Sequence, residues 1–125
     1  MESLNRMTVI VKDNGFGIKN IIINEPKTYN SLSFKTLNIL INIFRRLEND
    51  NKTRVIILSG NGKGFSAGHN LKEVKNLKVR SKYLKLFNLC SKLMLNIVEG
   101  RKPVIAKVHG SAFAAGCQLA ASCDL

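Results

Sequence analysis

KGFSAGHNL, Lys63 to Leu71, and KPVIAKVHGSAFAAGCQLAASCDL, Lys102 to Leu125, decide the reading of this chain. Each follows or contains a short apolar run, Val55–Leu58 in the first case and Val104–Val108 in the second, that reads as a buried strand. Each then breaks into glycine and small residues and resumes with a helical pattern. A strand that opens through glycine onto a helix leaves main-chain N–H groups without intrahelical partners. Two such turns facing each other would form a two-donor site for an oxygen that gains negative charge.

Working outward, Thr8–Lys12 alternates as a strand, and Asp13-Asn14-Gly15-Phe16-Gly17 is a turn with two glycines. Ile18–Ile23 is a second strand, so the pair reads as a β-hairpin. Asn24–Ser33 is a loop: Pro26 breaks a strand, and Asn30, Ser31 and Ser33 offer helix caps. From Ser33 to Asn49, Phe34, Leu37, Leu40, Ile41, Phe44 and Leu47 recur at steps of three and four, which predicts an amphipathic helix. A weaker helix is predicted over Leu71–Leu77. A longer one is predicted over Ser81–Val98, with Leu84, Phe87, Cys90 (or Leu89), Met94, Ile97 and Val98 on its apolar side. Lys75, Lys78, Lys82 and Lys85 would be neighbours if one helical phase ran through both segments. Gly100 and Pro103 then separate that helix from the next strand. The last helix is predicted over Ala114–Cys123. The order ββ-α-β-(α)-α-β-α implies a layered α/β fold in a single domain over 1–125.

Of 125 residues, 45% are hydrophobic and 22% charged, ordinary for a globular domain. No apolar run is long enough to span a bilayer. The start, MESLNRMTVIV, has no clear targeting peptide, which suggests an intracellular protein. Cys90, Cys117 and Cys123 lack metal or redox spacing and are expected to be buried, reduced thiols. The net charge of +12 would attract phosphate-bearing ligands, anionic lipid or nucleic acid. Solvated lysine faces account for it without any partner. Nucleic-acid binding is expected to be weak, because no recognised motif accompanies the charge.

GFSAGHNLKEV followed by KPVIAKVHG…AAGCQLAASCDL, with Pro26…Asn30 and Val55-Ile56-Ile57-Leu58 upstream, resembles the crotonase (enoyl-CoA hydratase/isomerase) superfamily. Gly-His after Ser-Ala and the Ala-Ala-Gly-Cys-Gln stretch are similar to its enoyl-CoA hydratase domain-containing protein 3-like subgroup. The resemblance implies a fold of repeated ββα units, truncated here before a C-terminal helical part, and full-length assembly into homotrimers or hexamers. It implies action on a coenzyme A thioester in fatty acyl-CoA metabolism, with no permanently bound cofactor and no metal. It leaves the compartment as mitochondrial or cytoplasmic.

By position, the resemblance makes His69 and Ala115 the two main-chain donors to the thioester carbonyl. His69 then acts through its backbone rather than as a general base. Ala67 would offer its carbonyl to the adenine amino group, Lys27 would lie beside the pantetheine and phosphates, and Gly68, Gly110 and Gly116 would serve backbone geometry. Three departures stand out. Gln118 occupies the place of a hydratase glutamate; its amide can orient water but cannot serve as base near neutral pH. Asn70 replaces an aspartate that can equally cap a helix. Ala115 replaces a glycine. A non-catalytic acyl-CoA binder and a basic RNA-binding module are the alternatives. Asp124 is expected to pair with a neighbouring loop or helix end, His109 to order its loop, and the isolated segment to self-associate through an apolar sheet face and one side of the Ser81–Val98 helix.

Overall fold

The computed structural model describes residues 7–125. Four strands form one sheet in chain order: β1 (Val9–Asp13), β2 (Ile18–Ile23), β3 (Val55–Gly60) and β4 (Val104–Lys107). β1 and β2 form the predicted antiparallel hairpin, with Val9 opposite Ile23 and Asp13 opposite Lys19. β2–β3 and β3–β4 are parallel, as expected of strands joined through helices. The helices are α1 (Phe34–Glu48), α2 (Leu71–Asn76), α3 (Arg80–Glu99) and α4 (Ala115–Ser122). The result is the mixed α/β architecture expected, opening on a ββα unit. β3 runs two residues further than its apolar stretch. Ser59 and Gly60 pair with Ile22 and Ile23, since a ladder needs only backbone.

α1 forms where its periodicity places it. The Ser33 hydroxyl caps it by accepting from the Thr36 N–H, and Leu37, Leu40, Ile41, Phe44 and Leu47 are buried. They pack on one sheet face, supplied by Ile21, Ile23, Ile56, Leu58 and Val104. α3 completes this layer with a face that matches the expected stripe only in part, at Cys90 and Ile97. Leu86, Cys90, Leu93 and Ile97 are buried, whereas Leu84, Phe87 and Val98 are about half exposed or more. Both stripes have helical spacing, and packing against α1 selects the first.

The lysine row is also broken. Leu77 and Val79 are extended, so α2 and α3 do not share one helical phase. Of the three thiols, Cys90 is buried and Cys123 partly so, but Cys117 is exposed, contrary to the expectation that all three are buried. Burial together with the Asp124 carboxylate pushes the Cys123 thiol up to about 11, which keeps it protonated near neutral pH.

The α1–β3 connection is held by Asp50. Its carboxylate accepts from the Thr53 hydroxyl at 2.7 Å and the Lys52 N–H at 3.1 Å, and these bonds hold its pKa below the usual carboxylate value. Lys102, just before β4, donates to the Asp50 and Thr53 carbonyls and fastens the same turn to the last strand. A group with a lowered folded pKa stabilises above its unfolded pKa, about 4, and loses that contribution as the pH falls. We therefore expect Asp50→Asn to melt below the parent at pH 6, with the gap closing toward pH 3 in a thermal series. A gap independent of pH would remove the carboxylate charge from this account.

Candidate functional site

The two glycine turns meet. Phe65 and Ser66 donate to the Ser111 carbonyl at 2.9 and 3.4 Å, Phe113 donates to the Ser66 carbonyl at 3.0 Å, and Ser66 and Ala112 form an isolated parallel bridge. The β3–β4 pairing thus resumes after both strands have ended. Three residues beyond this bridge on each segment stand His69 and Ala115. A methyl placed on Gly68, whose φ is +90°, would lie 3.1 Å from the Ala115 nitrogen and 3.1 Å from the Phe113 carbonyl oxygen. Glycine is required there both by its positive φ and by this contact.

Among the described residues, the main-chain N–H groups of His69 and Ala115 donate to no protein acceptor. Ala115 is the first residue of α4, so its N–H is one of the helix's orphan donors and lies at the positive end of its dipole. The preceding Ala114 has φ +49° and ψ −121°, a conformation that costs an alanine roughly 1–3 kcal/mol. Gly116 then packs on Ser66: a Cβ there would overlap the Ser66 carbonyl.

The first turn is braced from below by a polar cluster. Asn30 is fully buried and accepts from the Glu25 N–H while donating to the Asn61 and Gly64 carbonyls at 2.7 and 3.0 Å. The Ser66 hydroxyl donates to the Asn30 carbonyl and accepts from the Gly68 N–H. Ala67 donates its N–H to the Tyr29 carbonyl, and Leu32 donates to the Gly68 carbonyl. Tyr29 and Asn30 both have φ +54°, so three of the four non-glycine residues with positive φ among those described surround this site. The short-range pattern carries no sign of this bracing, because Asn30 and Ser66 are joined only by tertiary contact. Asn30 is correctly placed in the loop, but it supports the turn rather than capping α1.

Tyr29, Lys63, Gly64, Ser66, Ala67, Ser111 and Phe113 line a cleft of about 380 Å³ beside the turns. Its walls are mainly apolar carbon, with Lys63 as the cation at its rim. Ala67 is therefore a cleft residue, whereas Lys27 is an exposed residue of the short 3-10 helix Pro26–Thr28, next to Tyr29. The His69 imidazole is not in the cleft wall. Its Nδ1 lies 3.4 Å from the Leu32 carbonyl, and its ring meets Phe87 of α3 edge-on at 5.3 Å.

Asn70 caps α2 by accepting from the Lys72 and Glu73 N–H groups, which frees Glu73 to accept from Phe34 at the start of α1. Gln118 is exposed, one turn into α4, and does not line the cleft. His109 Nε2 donates to the Gly62 carbonyl at 2.7 Å and orders the glycine loop, as expected. Asp124 accepts from the Val104 N–H at 2.8 Å, so its partner is the β4 edge rather than a loop or helix end. No group of three His, Cys, Asp or Glu side chains suited to a metal occurs among the described residues.

The family pattern of enoyl-CoA hydratase/isomerase matches residues 13–125. The chain is 44% identical over 109 residues to human enoyl-CoA hydratase domain-containing protein 3, mitochondrial, a match covering 87% of this chain and 36% of that protein. The solved structure of that human protein superposes with a TM-score of 0.89 at 40% identity, covering 95% of this chain and 47% of the other. An enoyl-CoA hydratase structure from Mycobacterium smegmatis gives 0.94 at 41% identity, covering 96% and 47%. The chain spans less than half the length of these relatives.

Proposed function

The chain belongs to the enoyl-CoA hydratase/isomerase family, and from that membership we propose that it binds a coenzyme A thioester with the acyl carbonyl between the main-chain N–H groups of His69 and Ala115. The observation that carries this reading is the bridged pair of turns with both donors unengaged. As the thioester becomes enolate-like, charge gathers on the carbonyl oxygen. One fixed donor aimed at it lowers the barrier by about 3 kcal/mol. Ala67 offers its carbonyl, and Lys27 and Lys63 their charge, to the nucleotide end of the ligand.

Gln118 favours a second reading, a thioester binder without hydratase chemistry. A glutamine amide can orient a water molecule but takes no proton from it near neutral pH, and Gln118 lies outside the cleft lining. RNA binding rests on charge alone and ranks below both. The mitochondrial location of the human relative extends to this chain as a proposal.

A ligand that binds only the folded state raises the melting temperature by mass action, worth about 2.7 kcal/mol at a hundred times its Kd. Millimolar acetoacetyl-CoA is expected to shift the thermal transition upward by several degrees, and free acetoacetate is not. No shift with the thioester would remove the binding reading.

Association of copies is proposed through the sheet face that no described helix covers, where Ile22, Ile57 and Ile105 are half-buried. Sedimentation should show a concentration-dependent oligomer that Ile57→Lys converts to monomer. A parent that stays monomeric at high concentration would count against it.

A further inference from the structure

The outward surface of α2 and α3 is not used by the paired turns. From Lys72 to Glu99, the end of α3, the chain carries seven Lys and Arg against two acids, Glu73 and the exposed Glu99. All seven cations are exposed, and none takes part in an ion pair among the described residues. The Glu73 carboxylate is engaged at the start of α1.

The same surface exposes carbon. On α3, Leu84 is 49% exposed, Leu95 53% and Val98 61%. Leu84, Leu89, Lys85 and Lys92 line one shallow groove of about 390 Å³, so the aliphatic and cationic groups share a face rather than alternating around the helix. The opposite face is fixed in the core by Leu86, Cys90, Leu93 and Ile97, which leaves α3 unable to rotate its leucines away from solvent. No helix of the described residues is long and apolar enough to cross a membrane.

Unpaired cations and exposed aliphatic side chains on one face place two demands on an occupant. A nucleic-acid backbone satisfies the cations and gains nothing from leucine. The surface of an anionic bilayer satisfies both: phosphates meet the lysines, and the headgroup–acyl boundary takes up the aliphatic groups. We propose that the outward face of α3 docks the protein on an anionic bilayer, with Leu84 and Leu95 entering the boundary layer and Lys82, Lys85 and Lys92 meeting lipid phosphates. α3, about 30 Å long at 1.5 Å per residue, lies in the membrane plane.

The test is co-flotation of the full chain with phosphatidylcholine vesicles containing about a third phosphatidylglycerol, against pure phosphatidylcholine. Binding is expected to the anionic vesicles alone. It should weaken roughly fivefold per lysine neutralised, about a hundredfold in Lys82→Gln, Lys85→Gln, Lys92→Gln together. Leu84→Ser with Leu95→Ser should lose at least tenfold with every charge in place. Circular dichroism and the thermal transition should be unchanged, since all five side chains are exposed. Phe87 is left intact because it holds His69. Three results overturn the proposal: no binding to anionic vesicles; binding to them that the leucine pair does not affect, alongside equal binding to single-stranded RNA; or conversion of an oligomer to a monomer by the leucine pair without lipid, which would assign the face to a second copy. Acetoacetyl-CoA stabilisation in the serine and glutamine variants separates this outcome from any failure of the thioester site.

Discussion

Replacing Gly116 by valine abolishes the cooperative thermal transition of the chain or lowers its stability by roughly 4 kcal/mol. Even a single methyl would overlap the Ser66 carbonyl, and the neighbouring Ser66 atoms lie within 3 Å of it. The obstacle is backbone, which cannot rotate aside as a side chain does. Retreat of α4 would break the Ser66–Ala112 bridge and the Phe113–Ser66 hydrogen bond. It would also uncover Leu119, which is fully buried. Against the 5–15 kcal/mol typical of a whole domain, that loss is large. Gly15, with open space beside it, is the control. Although its φ is +81°, Gly15→Asn should cost much less, since asparagine tolerates that region. Chemical denaturation of both variants is the measurement, and near-parent stability in Gly116→Val would show that α4 does not sit on the Ser66 turn as described.

Crotonyl-CoA hydration by a protein carrying this chain should run at least a hundredfold below a relative with glutamate at position 118. Positioned acid–base groups contribute about 10²–10⁴ in rate. Hydration needs a proton removed from water and another delivered to carbon, and an amide does neither. Gln118 is exposed and its side chain makes no hydrogen bond among the described residues, so Gln118→Glu costs little in folding. Where the full protein supplies the second acid–base group, the substitution should raise kcat for hydration without weakening acetoacetyl-CoA binding. Fast hydration by the parent would overturn the role given to Gln118. Unchanged hydration in Gln118→Glu, with binding retained, would favour isomerisation, hydrolysis or simple binding.

Local signals located most elements. α1 combines a clear apolar stripe with a Ser33 cap, and the hairpin has its own glycine turn; both are encoded within a few residues. α3 shows where such signals end. Cys90 and Ile97 of the expected stripe are buried, but Leu84, Phe87 and Val98 are spaced as helically from them as Leu86 and Leu93 are, and only the position of α1 decides which join the core. The gap expected between the two helices, Leu71–Leu77 and Ser81–Val98, is present, and extended Leu77 and Val79 keep α2 and α3 out of one helical phase. At the site, glycine spacing identified both turns because backbone approach restricts residue type. The Asn30–Ser66 brace joins positions 36 apart and left no periodic trace. The cleft walls from Tyr29 and Phe113 escaped notice similarly, since single aromatic residues in loops have many uses.

The sheet runs β1-β2-β3-β4, so spatial order repeats chain order. A polypeptide leaving the ribosome therefore never needs to insert a late strand between two early ones. The hairpin can close first, α1 can cover it, and β3 and β4 then add in turn to an existing edge, each bringing its glycine turn with it. Domains synthesised at about 5–20 residues per second have time to take such steps one at a time. The first donor turn follows β3 and the second follows β4, so His69 has no counterpart until Ala115 has been made. On stalled ribosomes, nascent chains ending before β4 should already protect β1 and β2 from protease while the Gly64–Asn70 turn is still cut.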